Sequence, residues 1–164
     1  MTGDPVARAS ALLHREARAL DARDWDTWLA LYTPDAVFWV PAWRDEDTLT
    51  TDPDRELSQL YHDSRRGLEE RVARVCSGKS VTAMPLARTT HVISNVEATP
   101  DPDGLHVHAV FAVLVWHPRR ESQHSLFGRY ELRLRDTPDG LRIARKHVTL
   151  VNDVVPAVLD FYLL

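Results

Sequence analysis

His106 and His108 lie one residue apart, so any extended segment puts both imidazoles on the same side. Some metal sites begin this way, and Glu121 and His124 are candidates for the third ligand. Without a fixed third ligand, the pair reads first as a solvated strand end. The chain contains no His-Glu-x-x-His, and no 2-His-1-carboxylate triad is legible in its spacing. A second constellation suits acid–base work. Tyr32, Asp35, His91 and Tyr130 could converge inside a curved α+β cone, where burial tunes carboxyl, imidazole and phenol groups for proton transfer. Against this, Asp35 follows Thr33-Pro34, where a turn carboxylate bonds nearby amides. His91 suits a structural hydrogen bond. Ser94 and Ser125 have no Gly-x-Ser-x-Gly context, and no glycine-rich phosphate loop occurs. Arg65-Arg66 and Arg119-Arg120 read as solvated or interface charges. Arg88 could pair bidentately with a carboxylate across an interface.

The elements that must position these groups are helical first and β afterwards. Val6 to Leu20 reads as a helix with Val6, Ala9, Leu12 or Leu13, Ala17 and Leu20 inward. Residues 24–43 hold four of the five tryptophans. Asp24 can cap a second helix whose apolar face is Trp25, Trp28, Leu29 and Tyr32. Thr33-Pro34-Asp35 stops that helix, and Ala36 to Val40 reads as an aromatic, β-branched strand. After an acidic loop over 44–54, Asp52-Pro53 predicts another helix start, with Leu57, Leu60 and Tyr61 on one face. Beyond Gly67, Leu68, Val72 and Val75 predict a further helix, closed by Ser77-Gly78-Lys79-Ser80. From Thr89 the pattern is β: strands over 90–98, 105–116, 126–135 and 141–151, linked by turns at 99–104 and 137–140. Helices followed by hairpin-linked strands predict an α+β fold with an antiparallel sheet.

One strand departs from half-buried alternation. Val110 to Trp116 is apolar on both faces, although a sheet with helices on one side should meet water on the other. Another subunit would cover the outer face, and Phe111, Val113 and Val115 are the expected contact residues. The hydrophobic tail from Val154 to Leu164, with Phe161, Tyr162, Leu163 and Leu164, points the same way or plugs its own domain.

The totals exclude several classes. A chain of 164 residues, with 44% hydrophobic and 27% charged residues, is most simply one domain spanning 1–164. A net charge of −4 gives no electrostatic case for nucleic acid or an anionic membrane. The longest apolar run, Ala109 to Trp116, is too short to span a bilayer. Arg8, His14, Arg15 and Glu16 argue against a signal peptide. The lone Cys76 rules out an internal disulfide, fits a cytoplasmic location, and cannot by itself build a cysteine-ligated cluster.

Ordered blocks along the chain carry a resemblance. They are Arg15 to Asp21, Trp28 to Tyr32, Asp35 to Pro41, Thr51-Asp52-Pro53, Glu56-Leu57-Ser58, Gly67 to Val72, and Arg88 to Val96. In these the chain resembles the small (β) subunit of aromatic ring-hydroxylating dioxygenases, the Rieske non-haem iron oxygenases. It is most similar to the benzoate, toluate and anthranilate branch. The resemblance implies a nuclear transport factor 2-like (cystatin-like) cone, with a strongly curved antiparallel sheet packed on N-terminal helices. It implies an α3β3 assembly in which β subunits form a trimeric base under the α subunits. The α subunit would carry a Rieske [2Fe-2S] cluster and a mononuclear Fe(II), and a separate reductase would supply electrons from NADH. It also implies a structural role, with no catalytic, cofactor-binding or metal-ligating residue in this chain, and the α subunit would choose the aromatic acid. The stretch from Cys76 to Ser80 receives no role from it. The rival expectations are a stand-alone cone-fold dehydratase or isomerase using Tyr32, Asp35 and His91, and a small-molecule binding module with an open cone mouth.

Overall fold

The computed structural model describes residues 3–79, 84–153 and 158–164. Helix α1 (Pro5–Ala22) starts with Asp4 accepting a hydrogen bond from the Val6 amide and Pro5 in the first turn. It ends at Arg23, whose left-handed φ of 56° turns the chain. The Arg23 guanidinium then donates to the Leu86 and Ala87 carbonyls at 3.0 and 3.2 Å. Helix α2 (Trp25–Ala30) is capped by Asp24 as expected, with Thr27 N donating at 3.2 Å. Strands β1 (Tyr32–Pro41) and β2 (Ser58–His62) follow, then helix α3 (Arg65–Cys76). The long strands β3 (Arg88–Asp101), β4 (Gly104–His117), β5 (Ser122–Thr137) and β6 (Gly140–Leu150) complete the sheet. A 3-10 turn at Phe161–Leu163 ends the described chain.

The six strands form one curved sheet in the order β2-β1-β6-β5-β4-β3. Every pair is antiparallel except β1 with β6, which runs parallel. Register shifts at Ser94/Glu97 in β3 and Arg133/Leu134 in β5 bend the long strands, since an extra residue on one strand increases local twist. At Gly128 the backbone of β6 comes so near that a Cβ would lie 1.9 Å from the Thr149 carbonyl oxygen. That position tolerates no side chain, and directly opposite it Phe111 stacks on Tyr130 with centroids 4.3 Å apart. The helices pack on one face of this sheet, and a single hydrophobic cluster joins α1, α2, α3, the strands and Phe161–Leu164.

Four expectations are corrected. The second helix stops at Ala30, and Tyr32 to Asp35 already belong to β1, where pairing with β6 supplies the backbone partners. Asp52-Pro53 opens only a turn, because the Glu56 carboxylate takes the Thr51 and Asp52 amides at 2.6 and 2.9 Å and folds the loop on itself. Leu57 is consequently 82% exposed, and Leu60 and Tyr61 lie on β2, paired with Val40 and Trp39. Val6, at the outer edge of the first turn of α1, is exposed rather than inward. Phe111, Val113 and Val115 face the core, not a partner, since their parity on β4 places them with Leu105, Val107 and Ala109 beneath the helices. Ser80 and Val154 to Ala157, part of the predicted helix closure and tail, lie outside the described residues.

Candidate functional site

A charged centre occupies the cone interior. Glu16 on the inner face of α1 and Lys146 on the inner face of β6 are both buried, with Lys146 fully so. Lys146 Nζ donates to Glu16 Oε1 at 2.9 Å and to the Leu164 carbonyl oxygen at 3.3 Å. Tyr32 Oη donates to the same Glu16 oxygen at 2.5 Å. The ammonium also sits 4.2 Å above the Tyr130 ring centroid and 5.5 Å from that of Phe38. Burial lowers the Lys146 pKa and Glu16 opposes that shift. Burial, then the Glu16 charge, pushes the Tyr32 phenol well above its usual range, and Tyr130 moves the same way for the same reasons. Tyr32 keeps its proton and donates it to Glu16, whereas the buried Tyr130 hydroxyl has no hydrogen-bond partner among the described residues.

Aromatic side chains enclose this centre. Trp28 stacks on Phe161 at 4.7 Å and meets Tyr32 edge-on at 5.1 Å. Phe161, Leu163 and Leu164 are buried against their own chain, so of the two roles expected for the tail, these residues take the intrachain one. Arg71 of α3 holds the turn in place, with Nε and Nη2 bonded to the two Asp160 oxygens at 3.1 and 2.9 Å.

The sequence-predicted acid–base set does not converge. Tyr32 and Tyr130 share the interior, but Asp35 is largely exposed and forms a bidentate pair with Arg135 at 2.9 and 3.2 Å. That guanidinium holds the Asp35 carboxyl at a pKa of about 2. His91 has a buried side chain whose Nδ1 lies 2.6 Å from Asp21 Oδ1, and its backbone amide donates to Asp21 Oδ2 at 3.0 Å. Thr89 Oγ1 donates to the same carboxylate at 2.9 Å. Burial works against the Asp21 charge, but these donors outweigh it and leave the pKa below the usual value. Asp21 thereby ties the end of α1 to the start of β3.

The sheet's outer face carries two further groupings. Val92 on β3, Val110, Leu114 and Trp116 on β4, and Phe127 on β5 are all exposed, and the registers Val92–Ala112 and Ala112–Phe127 set part of them in one row. Beside them Arg88, Thr89, Thr90, Leu114, Trp116 and Gln123 line a shallow depression of ≈ 170 Å³. Arg88 is exposed there and forms no ion pair among the described residues. On the same face, His108 of β4 stands opposite Glu131 of β5, which stands opposite His147 of β6. His106 Nε2 lies 2.9 Å from Glu131 Oε1, and His147 Nδ1 lies 3.9 Å from Glu131 Oε2. The expected third partners of the histidine pair are elsewhere. Glu121 sits in the β4–β5 turn with φ of 50°, and His124 stacks on His117, with Nδ1 and Nε2 3.1 Å apart.

Comparison with known proteins places these features in context. Residues 15–157 match the family described as "Ring hydroxylating beta subunit". The 2-halobenzoate 1,2-dioxygenase small subunit of Burkholderia cepacia is 41% identical over 155 residues, covering 93% of this chain and 92% of that one. The anthranilate 1,2-dioxygenase small subunit of Acinetobacter baylyi is 39% identical over 153 residues, covering 93% of each. Among solved structures, the beta subunit of benzoate 1,2-dioxygenase from Burkholderia mallei superposes with a TM-score of 0.83 at 34% identity, covering 100% of both chains.

Proposed function

Since this chain belongs to the ring hydroxylating beta subunit family, we propose that it is the small subunit of a multicomponent dioxygenase acting on an aromatic acid, and that its role there is structural. The observation that carries the reading is the 39–41% identity, over more than nine-tenths of the chain, to small subunits of enzymes named for anthranilate and halobenzoate. In this reading three copies form a base, and α subunits bearing the Rieske [2Fe-2S] cluster and mononuclear Fe(II) complete an α3β3 complex served by an NADH-dependent reductase. The complex is cytoplasmic, a location that the single Cys76 fits.

Two features of this chain support a structural role. Three of the interior polar groups are committed to one another, with Glu16 accepting from both Lys146 and Tyr32 beneath the Phe161–Leu164 turn. The outer face of β3, β4 and β5 offers contiguous apolar surface, with Arg88 at its border for a partner's carboxylate. The contact residues are then Arg88, Val92, Val110, Leu114, Trp116 and Phe127, in place of the inward-facing Phe111, Val113 and Val115 and the buried Phe161 to Leu164. A stand-alone dehydratase or isomerase is not favoured, because Asp35 lies outside the interior and His91 is bonded to Asp21.

The test is the solution mass of the chain, alone and co-expressed with a candidate α subunit. A trimer that grows into a coloured, iron-containing complex is expected. A colourless monomer that does not associate with the α subunit overturns the proposal.

A further inference from the structure

We propose that His106, His108 and Glu131 form a binding site for one divalent transition-metal ion of the zinc class on the outer face of the sheet. One ligand atom from each lies within 4.8 Å of the other two, and they are the only such group among the described residues. Around tetrahedral zinc, ligand atoms stand roughly 3.3 Å apart, as metal–ligand lengths of about 2.0 Å require. His106 Nε2 and Glu131 Oε1 are already hydrogen-bonded at 2.9 Å, so closure exchanges that bond for the metal, moves the two atoms slightly apart and rotates His108, which is exposed. The backbone beneath is fixed, since the β4–β5 ladder pairs every residue from Gly104 to His117 without a register break.

The surroundings suit a cation. Glu131 supplies the negative charge and the two imidazoles the borderline-soft nitrogen donors that favour zinc, nickel or copper over calcium or magnesium. His147, held by stacking on Trp39 at 4.7 Å and 11°, borders the site with Nδ1 3.9 Å from the second Glu131 oxygen, beyond hydrogen-bond reach. Of the arginines on this face, Arg133 opposite His106 is paired with Asp101 at 2.5 Å, while Arg129 and Arg145 flank the group two residues along from Glu131 and His147. Glu97, paired with His108 from β3, adds a second carboxylate to the same row. The remaining coordination position lies on the outer side of the sheet, so the site clips two strands together on the face opposite the Glu16–Lys146 centre.

The test is isothermal titration of the untagged full chain with ZnCl2, alongside a thermal melt with and without the metal. We expect one saturable equivalent and a rise in Tm. His106→Ala, His108→Ala or Glu131→Gln should abolish that equivalent or weaken it by more than the roughly 10–100-fold typical of losing an outer partner. His147→Ala, which removes a ring that only borders the site, should leave the equivalent in place. His117→Ala serves as the control, because the His117–His124 pair is the other place where two imidazoles meet. Retention of the equivalent in all three ligand variants, its loss in His117→Ala alone, or no saturable binding by the wild-type chain would each overturn the proposal. All four altered side chains of the cluster lie on the outer face, and melts without metal verify that the variants fold. Oligomeric mass is not read in this experiment, so failure here leaves the subunit proposal standing.

Discussion

The two charged residues at the centre of the interior were hidden by their neighbours. Arg15-Glu16 and Arg145-Lys146-His147 are charged runs to which the sequence reading gave no interior role, yet Glu16 shares a helix face with Leu12, Leu13 and Leu20, and Lys146 shares a strand face with Val148 and Leu150. Position within the hydrophobic pattern, not residue type, was the signal that could have found them. Tyr32 and Tyr130 were legible because aromatic residues already belong to such a pattern. Breaking the pair should be costly: Lys146→Met leaves the Glu16 carboxylate buried without its cation, and should lower unfolding stability by about 3–5 kcal/mol. Replacing the whole set with Glu16→Leu, Tyr32→Phe and Lys146→Met should recover most of that, because well-packed apolar side chains carry no desolvation cost. Urea titrations check both, and a single variant as stable as wild type would mean that water reaches Lys146.

Secondary structure was most legible where periodicity ran long. The alternation over 126–135 gave the middle of β5, and Leu68 and Val72 are the buried face of α3. Reading failed at 57–62, where Leu57, Leu60 and Tyr61 fit a helical face as well as they fit a strand. Only pairing with β1, a long-range event, selects the strand. The parallel pairing of β1 with β6 was illegible for the same reason, since nothing local to residues 32–41 names a partner beyond residue 140. One bidentate ion pair, Arg71 with Asp160, ties the Phe161–Leu163 turn to α3. Arg71→Ala should therefore raise amide exchange across 158–164 by roughly 10–100-fold, the equivalent of losing about 1–3 kcal/mol of charged hydrogen bonding. Exchange in β4 should stay unchanged, and a uniform rise would show global destabilisation instead.

For the whole molecule, the sequence showed that β4 is apolar on both faces but assigned the wrong residues outward, because parity along a strand cannot be fixed until one residue is anchored. Lys146 and Phe111 on the inside set the anchor, and Val110, Leu114 and Trp116 face out. Leu114→Asp with Phe127→Asp should therefore reduce the mass of the assembled species in light scattering without lowering the Tm of the monomer, since both side chains are exposed in the single chain. An unchanged mass would move the contact to another face.

The buried centre joins Glu16 of the first helix, Lys146 of the last strand and the Leu164 oxygen at one point. During translation, α1 emerges with its carboxylate long before any of the groups that satisfy it. Until residues 161–164 leave the ribosome, Trp28 lacks Phe161 and Lys146 lacks its carbonyl acceptor. The core of this protein therefore closes only when segments far apart in the chain have met. A nascent chain that has not yet presented residues 161–164 holds an open, charged interior and must be kept from aggregating.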